Sequence, residues 1–432
     1  MCLLRLQIRL PTSIIGTWQP KESVEDYRVT DKGRNSGWRT ETLAVHAGEH
    51  IDPATRASSP NLVMSVTFAP EEVTGFSARD EQDYEGFVYG RVSSPTVKQL
   101  EDKLAALEGG EAALAFASGV AAAHALICGR LGCGDHIILP DANYVGIAEL
   151  ARDTLPRFGI EASYVDLSRP DEVSRAIRPN TKMLWLETPA NPTMKICDIR
   201  LLADLAHAAG VRDVAVDSTY ATPIATNPLS LGADFVVHSL TKYIGGHGDA
   251  MGGGVVGRKS DLAALNLEST VHFGGVMSPF NAWLILRGAG TLPIRMRAHE
   301  EAAMKVAAFL EQHPAISRVF YPGLASHPQH DIARRQMRNF SGMMTFQTKK
   351  AGPDIAALMV KKLEVIHYAV SLGHHRSLVY WIGTDDIQRS TFRHDADALS
   401  RYRDYAGDGV FRLSVGIENA DDLIADLARV LD

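Results

Sequence analysis

Residues 234–249 read DFVVHSLTKYIGGHGD, a short apolar run that ends in a polar turn containing a single lysine. The run predicts a buried strand, because it is too short for a helix and contains valines. Similar runs occur at 136–139, 183–186, 214–217 and 254–256, and helical patterns such as 199–209 lie between some of them. Short apolar strands that alternate with helices are typical of a largely parallel sheet covered on both faces. The sequence therefore predicts an α/β fold.

The chain around these runs divides into three predicted regions. Residues 1–93 contain turn-forming residues and little periodicity, which indicates an N-terminal extension followed by an extended arm. Residues 94–293 hold the alternation of strands and helices, beginning with a helix that has Ser94 as N-cap and Pro95 in its first turn. Residues 294–432 mix helical and strand patterns, with an amphipathic helix at 421–431, and predict a smaller α+β domain.

Composition and charge exclude several other classes of protein. The chain has 432 residues, of which 45% are hydrophobic and 22% charged, so it can bury several cores and is not fibrous or disordered as a whole. Its net charge of −7 argues against broad nucleic-acid binding. No uncharged stretch is apolar enough to predict a membrane span. The four cysteines lack a zinc spacing, which favours free thiols and a cytoplasmic location.

The first 37 residues leave two interpretations open. Arg5 and Arg9, with no acidic residue before Glu22, weakly resemble a transit peptide. A disordered extension is the more ordinary behaviour of a terminus, and we keep it as the expectation.

Polar residues follow the ends of the predicted strands. Because ligands of open parallel sheets bind at the carboxyl ends of the strands, we expect these residues to share one site. They include one lysine, one aspartate, several hydroxyl groups, a tyrosine and a glycine turn before a helix, but no glycine pattern for a dinucleotide. They are Ser118-Gly119, 141–144, Glu187 with Asn191, 217–219 and 239–242.

One cofactor, pyridoxal 5'-phosphate (PLP), would use all of these groups. It needs a lysine amine to bond to and a carboxylate beside its ring nitrogen, for which Lys242 and Asp217 are the candidates. Its phosphate needs donors, which the turn at 118–120 offers because a helix begins there. The hydroxyl groups of Ser239 and Thr241 add further donors.

Longer motifs resemble one family of PLP enzymes. The lysine segment quoted above is similar to the lysine signature of the Cys/Met-metabolism, or trans-sulfuration, family. That family includes cystathionine γ-synthase, the cystathionine lyases, methionine γ-lyase and homoserine-ester sulfhydrylases. The similarity extends from about residue 40 to the end of the chain. The other matching segments are VYGRVSSPT (88–96), FASGVAA (116–122), WLETPANPTMKICDI (185–199), AVDSTYATP (215–223), YPGLASHPQH (321–330) and FRLSVGIENADDLIADL (411–427).

The resemblance implies a fold and a set of cofactor contacts. The fold is the PLP-dependent transferase fold type I, with residues 94–293 as the large PLP-binding domain. Lys242 would carry the cofactor and then act as the shuttling base. Tyr144 would stack on the ring and assist proton transfer, and Asn191 would reach the ring oxygen. The full implied set of cofactor-binding residues is Tyr89, Arg91, Gly119, Val120, Tyr144, Asn191, Asp217, Thr219, Ser239, Thr241 and Lys242.

The resemblance also implies partners. In this family the Tyr-x-Arg arm, here Tyr89 and Arg91, crosses to the phosphate of a neighbouring subunit, which implies a homo-oligomer, at least a dimer and commonly a tetramer. The substrate would be a small sulfur amino acid or homoserine ester. Arg412 would bind its α-carboxylate in a bidentate pair, with Ser371 nearby.

Three departures from the family pattern leave the reaction open. Gly146 stands where methionine γ-lyases often have a cysteine. Arg376 stands where many relatives have an acid, so it would repel a distal ammonium group of the substrate or hold a distal carboxylate. Segment 380–386 replaces a segment that usually contains histidines. We predict C–S bond cleavage of the methionine or cystathionine γ-lyase type. The alternatives are γ-replacement, by a cystathionine γ-synthase or O-acylhomoserine sulfhydrylase, and cystathionine β-lysis.

Other classes of function are weaker hypotheses. Ser239 and Lys242 match the SxxK motif of serine acyl hydrolases, but the SDN and KTG strings that accompany it are absent. A non-catalytic protein of the same fold would be expected to have lost Lys242 or Asp217, and both are present. Paired histidines such as His374 and His375 have no acidic or cysteine partners near them in sequence, so no metal site is predicted.

Overall fold

The computed structural model describes residues 37–75, 77, 79–80, 84–389 and 395–432. The predicted extension lies outside the described residues, apart from residue 37. The described chain begins with helix α1 (Thr40–His46), and the described residues from 47 to 94 form an arm with little regular secondary structure. An isolated antiparallel bridge joins Thr67 and Tyr89 within this arm.

Seven strands form the large sheet, in the order β1-β7-β6-β5-β4-β2-β3. They are β1 (Ala112–Phe116), β2 (His136–Pro140), β3 (Glu161–Val165), β4 (Thr181–Glu187), β5 (Asp213–Asp217), β6 (Phe235–Ser239) and β7 (Gly253–Gly257). Strand β7 runs antiparallel to its neighbours β1 and β6, and the other neighbouring strands are parallel. The carboxyl ends of the parallel strands therefore meet at one edge.

Helices cover both faces of this sheet, as predicted. Met183 and Trp185 of β4 pack in one apolar cluster, whereas Leu184 and Leu186 pack in another. Since side chains alternate along a strand, β4 is buried on both sides. The helices are α2 (Pro95–Glu108), α3 (Gly119–Arg130), α4 (Val145–Glu149), α5 (Pro170–Ala176), α6 (Ile199–Ala208), α7 (Thr222–Ala225), α8 (Lys259–Leu265) and α9 (Pro279–Ala289), with short π-helices at Leu150–Thr154 and Asn266–His272 and 3₁₀ turns at Leu155–Phe158 and Pro228–Leu231.

The limits of α2 follow from its sequence. Ser94 caps its first turn, and Gly109 ends it with a φ of 71°, a left-handed conformation that favours glycine.

The fully buried ammonium of Lys103 donates to the Ala44 carbonyl and pairs with Glu49, both at 2.6 Å. This contact fixes the start of the arm to the large sheet's own helices.

A second, five-stranded sheet has the order β10-β11-β12-β9-β8. Its strands are β8 (Ile316–Phe320), β9 (Met343–Thr348), β10 (His367–Tyr368), β11 (Leu378–Gly383) and β12 (Gly409–Ser414). The pair β10–β11 is parallel and the rest are antiparallel. In the described residues, the helices that accompany the sheet are α10 (Leu292–Gln312), α11 (His330–Gln336), α12 (Gly352–Lys362), α13 (Thr384–Arg389), α14 (Ala396–Ala406) and α15 (Ala420–Leu431).

This second sheet has its own apolar core, in which the rings of Phe346 and Phe411 stack with centroids 5.2 Å apart. The predicted α/β fold with a smaller α+β part is therefore confirmed. The boundary predicted between residues 293 and 294 falls in the first turn of α10, and the exact division stays a prediction.

Two details differ from the sequence expectations. Strand β3, at the edge of the sheet, was not predicted, because its sequence EASYV contains no uninterrupted apolar run like those of the predicted strands. The sequence alone also allowed a second interpretation of Arg412, in which it only begins an edge strand, and the structure differs from that interpretation. Arg412 is the fourth residue of β12, which lies between β11 and β9.

The described ranges contain no helix long and apolar enough to cross a membrane. In the same ranges, no group of three or more histidine, cysteine or acidic side chains is placed to hold a metal ion. Cys128, Cys133 and Cys197 are free thiols.

Candidate active site

A cavity of about 600 Å³ opens at the carboxyl edge of the large sheet, a volume typical of sites for small molecules. Its walls come from both sheets: strand ends of the large sheet on one side, and residues 370–372, β11, α13 and β12 on the other. Eleven of the predicted site residues line it, namely Gly119, Val120, Tyr144, Asn191, Asp217, Thr219, Ser239, Thr241, Lys242, Ser371 and Arg412. Tyr89, Arg91 and Arg376 do not.

Lys242 follows β6 and is half-buried at the base of this cavity. Its Nζ donates a hydrogen bond of 2.8 Å to Oγ of Ser371. Burial, and secondarily the positive charge of Arg412, lower the pKa of Lys242 to about 8. A sizeable fraction of the amine is therefore neutral near that pH, which is the form that acts as nucleophile or base.

Two carboxyl groups lie side by side on β4 and β5. Glu187 is in register with Asp217, and burial raises the pKa of both, with the charge of Asp217 adding to the effect on Glu187. The Glu187 carboxylate accepts the backbone N–H groups of Tyr144, at 2.8 Å, and Asn191, at 2.7 Å. Glu187 thus holds the segments after β2 and β4 together. The position of Glu187 at the end of a predicted strand marked it as a candidate site residue, but the sequence offered no reason to assign it a role.

The start of α3 offers donors for an anion. The Ser118 hydroxyl accepts the N–H of Ala121 at 3.1 Å, and the N–H groups at the first positions of a helix have no partner within it. A Cβ at Gly119 would lie 2.8 Å from Cβ of Ser239, so only glycine allows α3 to approach that residue. Thr241, which also lines the cavity, accepts the N–H of Gly252 at 3.0 Å.

These groups fit PLP. The helix start with the hydroxyls of Ser239 and Thr241 suits a phosphate dianion. The carboxyl of Asp217 is half-buried and accepts a hydrogen bond of 3.0 Å from the Thr219 N–H, and burial raises its pKa. A protonated ring nitrogen would supply the close cation that stabilises its charged form. Lys242 is placed to bond the aldehyde, because it lines the same cavity.

Tyr144 sits immediately before α4 with 40% of its surface exposed, as expected for a side chain that stacks on a ligand. A Cβ at Gly146 would lie 2.7 Å from Cε1 of the Tyr144 ring. The glycine therefore makes room for the ring in its present position. A cysteine at 146 would need the ring to move, which gives the departure at this position a physical reason.

Arg412 reaches the cavity from β12. Its guanidinium donates to Oδ1 of Asn191 at 3.1 Å and to the carbonyl of Ser371 at 3.3 Å. Both of these acceptors are neutral, so these two bonds do not neutralise the charge of Arg412, which can bind a carboxylate of a bound amino acid.

Tyr89 and Arg91 lie together on the arm and are exposed. Arg91 donates to the carbonyl of Val271 at 2.8 Å, and its guanidinium carbon is 5.4 Å from the centroid of the Tyr89 ring. Neither lines the cavity of its own chain, and their predicted contact with a neighbouring subunit stays a prediction.

Arg376 is exposed and does not line the cavity, and its predicted contact with the substrate stays a prediction. The residues on either side are held by the fold. The His375 N–H donates to the carbonyl of Gly246 at 2.9 Å, and the Ser377 N–H donates to Glu418 at 2.7 Å. These bonds leave the intervening side chain at the surface.

The wall opposite the sheet edge is mainly apolar. Val370, Ile382 and Ile387 line it, together with Tyr380 of β11. Among the described residues that line it, the acidic one is Asp386, whose side chain is 63% exposed and pairs with Arg389 of the same helix.

Comparison with known proteins identifies the family of this chain. The sequence profile of the family described as Cys/Met metabolism PLP-dependent enzyme matches residues 41–432. A canavanine γ-lyase from Pseudomonas canavaninivorans is 42% identical over 93% of this chain and 98% of its own. An L-methionine γ-lyase from Porphyromonas gingivalis is 40% identical over 90% of this chain and 96% of its own. The structure of cystathionine γ-lyase from Lactobacillus plantarum complexed with L-serine superposes with a TM-score of 0.81 at 35% identity, covering 91% of this chain and 98% of that one.

The match covers both sheets and the whole cavity, and the residues of the cavity fit the cofactor that the family uses. The predictions of an enzyme, of PLP and of fold type I are therefore confirmed. This chain belongs to the Cys/Met metabolism family of PLP-dependent enzymes.

Proposed function

We propose that this enzyme catalyses γ-elimination on a sulfur amino acid of the methionine or cystathionine type, releasing a thiol, a 2-oxo acid and ammonia. The observation that carries the proposal is the convergence of Lys242, Tyr144 and Arg412 on one cavity whose remaining wall is mainly apolar. An amino-acid head group meets the polar side of such a cavity, and an uncharged thioether tail meets the apolar side.

The head group is held first. Arg412 binds the α-carboxylate, and its orientation is supported by the Asn191 side chain and the Ser371 carbonyl. The tail extends along Val370 and Ile382.

The cofactor residues keep their predicted roles within this proposal. Gly119, Val120, Ser239 and Thr241 hold the phosphate, Asp217 pairs with the ring nitrogen, and Thr219 orients Asp217 through its backbone N–H. When bound, PLP withdraws electrons from Cα of the amino acid, so that the Cα proton becomes acidic.

Lys242 and Tyr144 then move the protons. Lys242 accepts the Cα proton as general base, which its lowered pKa of about 8 favours near neutral pH. As the shuttling base, Lys242 passes this proton on and accepts a second one from Cβ. The bond between Cγ and sulfur breaks, and Tyr144 donates a proton to the departing sulfur. Water then releases the four-carbon remainder as the 2-oxo acid and ammonia.

We also propose a cytoplasmic homo-oligomer, a dimer of dimers. The exposed arm supports this, because Tyr89 and Arg91 are available to a neighbouring chain and Leu62, Met64 and Val66 expose apolar surface beside them. Free thiols support the reducing location.

A second candidate is γ-elimination on canavanine, whose tail ends in a basic guanidino-oxy group. The observation in its favour is Asp386, a carboxylate on the wall that the substrate tail would face. A γ-replacement by an incoming thiol remains the alternative within the family.

Product analysis by mass spectrometry separates these proposals. The holoenzyme is incubated with methionine, cystathionine, canavanine or an acylated homoserine, each with and without an added thiol. We expect methionine to give a thiol and 2-oxobutanoate without any added thiol. A new thioether from the ester, with no 2-oxo acid from methionine or cystathionine, would assign the enzyme to γ-replacement. Cleavage of canavanine alone would favour the second candidate.

A further inference from the structure

The turn that carries Ser371 also carries a histidine to which the mechanism gives no role. Ser371 has a φ of 85° and Gly373 a φ of 69°, so the chain reverses tightly here. The reversal places the His374 ring beside the Ser371 hydroxyl, with Nε2 at 3.3 Å from Oγ. His374 is half-buried and does not itself line the cavity.

A continuous hydrogen-bonded chain results, from Nζ of Lys242 through Oγ of Ser371 to Nε2 of His374, with steps of 2.8 and 3.3 Å. The serine hydroxyl has one proton to donate. If it donates to neutral His374, its oxygen is free to accept from the charged ammonium of Lys242. If it donates to Lys242 instead, that amine must be neutral.

The loop after Lys242 is shaped to receive this histidine. A Cβ at Gly248 would lie 2.6 Å from Cε1 of His374, so the ring occupies space that only glycine leaves open. The next residue is fixed to the same loop, because its N–H donates to the Gly246 carbonyl at 2.9 Å. His374 is thus held against the segment that carries Lys242.

We propose that His374 is a positioning residue that stabilises the protonated form of Lys242 by holding the proton of the Ser371 hydroxyl. His374 has this effect whichever amino acid is cleaved. The proposal rests only on Lys242 being the lysine that bonds the cofactor. His374 opposes the effects of burial and of Arg412, which favour the neutral amine.

The surroundings keep His374 in the form that this role needs. Burial lowers its pKa, and the positive charges of Lys242, His375 and Arg376 lower it further, whereas Asp249 raises it. His374 is therefore neutral, and able to accept a hydrogen bond, in the pH range where Lys242 loses its proton.

The test measures Lys242 directly, in the apoenzyme and without substrate. Trinitrobenzenesulfonate modifies neutral amines, and mass spectrometry of the peptide that contains Lys242 gives the rate of modification at each pH. We expect His374→Ala to move the midpoint of this rate down by about 0.5 to 1 pH unit, the equivalent of one hydrogen bond. His374→Gln, whose amide oxygen can accept the same bond without titrating, is expected to restore most of the shift.

Two further variants separate the proposal from a general loss of structure. His375→Ala removes the neighbouring histidine, which has no bond to Ser371, and is expected to leave the midpoint unchanged. In a Ser371→Ala background, His374→Ala is expected to cause no additional shift, because the connecting hydroxyl is gone. An unchanged midpoint in His374→Ala, or the same shift with and without Ser371, would overturn the proposal. A failure to cleave sulfur amino acids would leave this result intact and would affect only the proposed function.

Discussion

The two sides of the cavity are built differently. On the carboxyl edge of the large sheet, Glu187 is buried and Asp217 is half-buried, and backbone N–H groups fix their oxygens. On the opposite wall, Ile382 and Ile387 present apolar surface, and the acidic residue Asp386 is exposed and paired with a cation. One side holds buried charge in fixed positions, and the other offers adaptable apolar contact.

This difference teaches where the chemistry and the selectivity reside. A buried charged group is costly to leave without its partners, so a substitution on the sheet edge disturbs several groups at once. An exposed ion pair contributes little to the free energy of unfolding. A substitution on the opposite wall therefore alters the binding of one substrate tail without harming the fold. Variants of the sheet edge should therefore change turnover strongly, and variants of the wall should change substrate preference weakly.

The largest effect is expected for Lys242→Ala. The base and the group that bonds the cofactor vanish together, so turnover should fall by about three or more orders of magnitude. Some cofactor should remain bound without a covalent bond, since Asp217 and the start of α3 are intact. Borohydride treatment followed by denaturation and mass spectrometry checks this: cofactor should stay on the wild-type peptide with Lys242 and be lost from the variant. Activity within tenfold of wild type would contradict the assignment.

A mixture of subunits tests whether the sheet edge is complete within one chain. Arg91→Ala and Lys242→Ala proteins are each expected to be poorly active. Subunit exchange should restore roughly a quarter of wild-type activity, because half of the dimers are hybrids and each has one of two sites intact. Absence of restored activity, with exchange proven by mass spectrometry, would show that the arm serves its own chain.

Glu187→Gln tests the carboxylate that orders the loops. A glutamine has one acceptor oxygen for two N–H donors, so either Tyr144 or Asn191 loses its anchor. We expect kcat to fall by roughly 10- to 100-fold and the free energy of unfolding by about 1–3 kcal/mol. The matched control is Glu111→Gln, which affects an exposed acceptor of the Lys259 N–H and should leave both quantities near wild type. Equal effects of the two variants would deny Glu187 its positioning role.

Strong local patterns made the large sheet predictable. Uninterrupted apolar runs marked β2, β4, β5, β6 and β7, and the ends of α2 were marked by Ser94 and Gly109. Edge strand β3 lacked such a run, because its place at the edge of the sheet leaves most of its side chains only partly buried. The site residues at strand ends converged because parallel strands bring their carboxyl ends together.

The remaining features of the site depend on contacts between distant segments. Lys242 and Ser371 are 129 residues apart, so no local pattern shows that they meet. The role of Glu187 depends on N–H groups of two different loops, and the need for Gly146 depends on where the Tyr144 ring rests. Arg376 aligned with a substrate position in the family, yet the bonds of its neighbours leave it exposed.

The smallest effect is expected on the apolar wall, at Asp386. Asp386→Asn removes the carboxylate that a basic substrate tail would meet, and the charge is 63% exposed, so solvent screens it strongly. We expect the ratio of kcat/KM for canavanine to kcat/KM for methionine to fall about two- to threefold. If canavanine is a poor substrate, its Ki as a competitive inhibitor of methionine cleavage is measured in place of its kcat/KM. The matched control is Asp385→Asn, which removes the adjacent aspartate that pairs with Arg403 at 2.6 Å and does not line the cavity. A change in this ratio that is equal in both variants would come from the overall charge of the helix and not from the wall. No change in either would remove Asp386 from the argument about the substrate, and with it the support for a basic tail.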